Sequence, residues 1–133
     1  MIGGADEFAD DAPYRPTVAE WQLLHRLDRS PTDREAMAAV HVLSRMPFIR
    51  VGQALDRDGI DFEGLLDMPW SSGERVLIGA AAALWSGDEG VPLADIVTSL
   101  DDDNLLVVLE GIALRVGWWD AAAEALGVIG GRQ

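Results

Sequence analysis

Residues 56–67 read DRDGIDFEGLLD, and Asp56, Asp58 and Asp61 flank Gly59. Closely spaced carboxylates around a glycine are the raw material of a calcium loop. Such a loop needs oxygen ligands at positions 1, 3, 5, 7, 9 and 12, a glycine at 6 and a bidentate glutamate at 12. Counted from Asp56, position 3 is Asp58, which fits. Position 5 is Ile60, position 6 is Asp61 and position 12 is Asp67. Two ligands and the glycine are therefore missing, and no metal is expected. A corner between helices explains more of the residues. Gly59 stops one helix, Asp61 caps the next, and Ile60 and Leu65 stand at the two positions of a hydrophobic staple.

The densest acid cluster is DDDN, residues 101–104. Acids at a helix start meet the positive end of its dipole, each contributing about 0.3–1 kcal/mol. Asp101, Asp102 and Asp103 are thus read first as cap and first turn, and second as a face for a basic partner. The two histidines, His25 and His41, stand at no zinc-ligand spacing. His25, one turn after Trp21, is placed at the flank of the core. Nucleophiles and bases are scarce, with no cysteine, no lysine and one tyrosine. Neither a G-x-S-x-G elbow nor a phosphate-binding glycine motif occurs. No catalytic residue and no cofactor is assigned.

The elements that must position these groups read as helices. Thr17 and Glu20 have capping-box spacing, followed by Trp21, Leu24 and Leu27 at helical intervals, with a stop near Asp28. Thr32 and Glu35 repeat the pattern, and that helix is drawn to about Met46. Pro47 opens another through "FIRVGQALDR". A short helix over "DFEGLLD" follows. Ser71 and Glu74 open a long apolar helix that Gly87 ends. "LADIVTSL" is a short helix, and residues 102–116 form a second long one. Trp118, Trp119 and "DAAAEAL" suggest a last helix. Val91 is the only position offered for a brief strand bridge.

The predicted fold is all-α: one irregular bundle of about six to eight helices. Its buried helices are expected at roughly 73–86 and 102–116. Residues 1–16 read as an acidic tail, 17–127 as a single domain and 128–133 as a frayed end. The order of elements over 73–116 resembles the trihelical core of helix-turn-helix domains. A DNA reader, however, carries basic residues on its last helix, and this one begins with three aspartates.

The chain has 133 residues and a formal charge of −13. That field repels phosphate backbones, so direct nucleic-acid binding is not expected. The longest apolar run, residues 76–85, is half a membrane span. The absence of cysteine fits a reducing compartment, and a cytoplasmic protein is expected. Ten arginines without a lysine fit a GC-rich genome or salt adaptation.

These features point to a protein that acts by binding another protein, as adaptor, inhibitor or assembly subunit. Asp101, Asp102 and Asp103 would face a basic partner, and Trp118 or Trp119 would anchor it or a second copy. Neighbouring helical residues point about 100° apart, so one of the two rings is expected at an edge. The alternatives are a DNA mimic, with acids in a row on one face, and a small enzyme or ligand-binding domain. The last predicts a histidine or carboxylate of shifted pKa.

Overall fold

The computed structural model describes residues 14–87 and 91–119. In chain order these form α1 (Val18–Leu27), α2 (Arg34–Leu43), α3 (Phe48–Gly52), β1 (Leu55–Asp56), β2 (Gly59–Ile60), α4 (Phe62–Leu66), α5 (Ser72–Ser86), α6 (Leu93–Ser99) and α7 (Asp102–Val116). The fold is all-α, with the two short strands its only sheet among the described residues. No described helix is long and apolar enough to cross a membrane. Residues 1–13 of the tail expected over 1–16, the part of the last helix after Trp119 and the frayed end at 128–133 lie outside the described residues.

Capping chemistry set most helix starts. Both bonds of the Thr17–Glu20 box form, as do both of the Ser71–Glu74 box. The third box does not. Asp33, not Thr32, caps α2, accepting from the Ala36 N–H at 3.2 Å. The Thr32 hydroxyl pairs instead with that of Ser30 at 2.9 Å. A carboxylate next to the helix start is the stronger acceptor, and it shifts the start by one residue. α2 also stops at Leu43, short of Met46. Pro47 disfavours helical backbone at the residue before it, so the chain turns early.

The corner around Gly59 differs from its expected form. Residues 53–60 do not extend a helix to a glycine stop. They make a tight hairpin in which Leu55 pairs with Ile60 and Asp56 with Gly59. β-branched Ile49 and Val51, with Gly52 behind them, favour a short α3. Gly59 has φ +134, a region closed to residues with a Cβ, and this permits the reversal. Asp56 accepts from the Asp58 N–H at 2.8 Å, and Asp61 caps α4 through the Gly64 N–H at 2.9 Å. The expected cap is present, and the strand pairing sits here rather than at Val91. Val91 packs instead beside Gly79 of α5.

The two helices expected in the interior, α5 and α7, flank a more deeply buried one. Every residue of α2 from 36 to 43 is buried. Its Ala36, Ala38 and Ala39 let α5 and α7 pack closely on either side. Gly111 of α7 sits at the closest point. A Cβ there would lie 2.9 Å from a Leu84 methyl and 3.0 Å from a Val42 methyl. The candidate trihelical unit over 73–116 exists as an order of elements, but its middle helix, α6, buries no residue. The helix that packs on both α5 and α7 is α2.

Candidate functional site

The most chemically loaded place in the interior is built from residues far apart in sequence. His41 lies midway along the apolar α2 and is buried. Its Nδ1 is 2.7 Å from Oε2 of Glu20 on α1. Its Nε2 is 2.9 Å from Oε1 of Glu110 on α7. Both carboxylates are buried as well. The Tyr14 hydroxyl donates to the Glu20 carboxylate, at 2.7 and 2.8 Å to its two oxygens, and lies 3.0 Å from His41 Nδ1. The Thr17 N–H completes the shell of Glu20 at 2.8 Å. One glutamate therefore closes the cap of α1 and clamps α2 at once.

The electrostatics follow from these partners. Burial alone would push His41 down. The hydrogen bonds to Glu110 and Glu20, and the charges of those carboxylates, outweigh it and hold the imidazole above its ordinary 6.5. Burial would push Glu20 up. Hydrogen bonds from His41, the Thr17 N–H and Tyr14, together with the imidazolium charge, hold it below the usual carboxylate value. When protonated, His41 donates from both nitrogens to two carboxylates. In that arrangement neither nitrogen offers a lone pair to a metal. Among the described residues no group of three or more acids and histidines is arranged to hold one. No buried side-chain nitrogen or oxygen among them lacks a hydrogen-bond partner.

Aromatic rings cover this cluster. Tyr14 stands perpendicular to the His41 ring at 5.3 Å and to the Trp119 ring at 4.7 Å. Tyr14 belonged to the expected tail, yet it packs against the core, so the tail's last residues are part of the domain.

The residues singled out from sequence fall elsewhere. Asp101 caps α7, accepting from the Asn104 N–H at 2.8 Å, and Asp102 and Asp103 sit exposed in its first turn. Trp118 is 70% exposed, just past the other end of that helix. α7 has 15 residues, so about 22 Å of helix separates the acids from the tryptophans at 1.5 Å per residue. The acids and the tryptophans therefore stand at opposite ends of α7. Trp119 turns inward to Tyr14. His25 is exposed on α1 rather than tucked against the core.

His25 lines the second feature, an open groove of about 520 Å³ between α1 and α3. Val18, Trp21, Gln22, Arg26 and Phe48 complete it. Trp21 is 51% exposed, and Ile49, next to Phe48, is 77% exposed. Trp21 had been read as a core residue from its spacing with Leu24 and Leu27. The wheel was right about those two leucines, whereas residue 20, one position earlier, faces inward in its place.

Comparison with protein-family models, with curated proteins and with solved structures found no match to this chain.

Proposed function

We propose that the protein is an interaction module that receives an apolar side chain of a partner protein in the groove between α1 and α3. The observation that carries this reading is the exposure of Trp21 beside Val18 and Phe48, in a groove whose shape is fixed from behind. Tryptophan is among the residue types enriched at interface hot spots. Behind the groove, Arg26 donates through Nε to the Gly52 carbonyl at 2.8 Å, tying α3 to α1. The surface is thus preorganised, which lowers the ordering cost of binding. The acids of residues 51–133 supply a long-range field that favours a partner with basic residues around its apolar anchor.

Less supports a charge mimic of DNA. Glu20 and Glu110 are buried, and Asp33, Asp61, Asp101 and Glu74 are engaged with backbone amides at helix starts. That leaves fewer carboxylates to stand in for phosphates.

The test compares Trp21→Ala with a triple Asp101→Asn, Asp102→Asn, Asp103→Asn variant, each confirmed folded by circular dichroism. Proteins captured by the wild-type chain from its native source should be lost with Trp21→Ala, and retained, with weaker and less salt-sensitive binding, by the triple variant. Full retention by Trp21→Ala would overturn the reading.

A further inference from the structure

We propose that Glu20, His41, Glu110 and Tyr14 form a proton-controlled clasp, in which the His41 imidazolium holds α1 and α7 to α2 and loss of its proton loosens both helices from α2. The geometry is that of a cation between two anions. Nδ1 faces Glu20 at 2.7 Å and Nε2 faces Glu110 at 2.9 Å, and both contacts are buried. A neutral imidazole has one N–H only, so one of its nitrogens must present a lone pair to a carboxylate oxygen. That contact changes from a charge-assisted hydrogen bond into a repulsion between two acceptors, in a place with little water to relieve it.

The consequences are local because of what hangs on the clasp. Tyr14 is held by Glu20 and stacks edge-on against both His41 and Trp119. α1 is also tied to α2 by Leu23, Leu24 and Leu27. α5, on another side of α2, brings no ionisable group toward His41. Its Glu74 closes its own cap, and its Arg75 reaches the Met68 carbonyl. On α2 itself, the Ser44 hydroxyl donates to the His41 carbonyl, and Glu35 lies near Arg115 of α7 at 3.5 Å. Among the described residues, the groups facing the imidazole are therefore Glu20 from α1, Glu110 from α7 and the Tyr14 phenol.

The sign follows directly. A histidine whose folded value lies above 6.5 contributes stability in full below 6.5, and loses it as pH rises through the folded value. The imidazolium side of the clasp is closed below 6.5 and opens as pH rises through the His41 titration.

The experiment is an NMR titration of the imidazole nitrogens of the full chain, run with amide hydrogen exchange corrected for intrinsic rates. His41 should titrate above 6.5, and across its midpoint the protection of α1 amides should fall at least tenfold while that of α5 amides holds. Glu110→Gln should lower the midpoint, and His41→Gln at pH 6 should match the wild-type protein at high pH. If either variant fails to fold, the wild-type titration decides alone. Constant protection of α1 through the titration, a parallel loss in α5, or a His41 midpoint no higher than 6.5 would each overturn the proposal.

Discussion

Two carboxylate-rich regions of this molecule behave in opposite ways. The corner at residues 56–67 is crowded with acids in sequence, and nearly all of them face water. Asp56 holds a turn, Asp61 holds a cap, and Asp58 and Asp67 are exposed. The clasp has only two acids, ninety residues apart in the chain, but both are buried against one imidazole. Solvated carboxylates interact weakly through a high dielectric. Desolvated ones must have partners, and so they fix where helices go. Density along the chain is a poor guide to chemistry; burial is the better one.

The sharpest way to break this contrast is His41→Ala. It leaves Glu20 and Glu110 buried without their cation, and loss of one partner of a buried pair costs about 3–5 kcal/mol. Urea unfolding should show that loss near pH 6 and a smaller difference from wild type as pH rises through the His41 titration. The Glu20 side of the clasp has the opposite sign. Its lowered value makes its contribution complete above 4.5 and lost as pH falls below that. Both contributions are therefore whole between about 4.5 and 6.5.

Tyr14→Phe should have the next largest effect. It keeps the ring against Trp119 and removes the hydroxyl from Glu20, at a cost of about 1.5 kcal/mol for a hydrogen bond to a charged group. The thermal midpoint should fall accordingly. At the corner, Asp61→Ala should cost about 1 kcal/mol through loss of the α4 cap. Asp58→Asn should stay within about 0.5 kcal/mol, as for other exposed positions. An Asp58→Asn effect as large as that of His41→Ala would erase the distinction between the two regions.

The fold was legible in the sequence wherever local chemistry decided it. Thr17, Ser71, Asp61, Gly87 and Asp101 each marked a helix end with its own side chain or backbone freedom. Where neighbours compete, the reading slipped. Asp33 displaced Thr32 as a cap, and Gly59 served a hairpin rather than a helix stop. The clasp was not read because each of its members had a local explanation. Glu20 completed a capping box and Tyr14 sat in a polar tail. Yet His41 lies in an unbroken apolar stretch of α2, and Glu110 is the only acid within the apolar run 105–116. Two ionisable residues on the apolar faces of two long helices must find each other or remain unpaired. That was the available signal, and it lies in the conflict between residue type and periodicity rather than in any spacing.

The burial of α2 also bears on how the protein is made. Residues 34–43 leave the ribosome with apolar surface on every side, because their eventual neighbours are α5 and α7. α1 can cover one side early. The other sides wait for some thirty to seventy further residues, several seconds of synthesis at about 5–20 residues per second. Glu110, the second anion for His41, is among the last of these to arrive. Until α5 and α7 have been made, the partners that bury α2 and the second anion of His41 are missing from the chain.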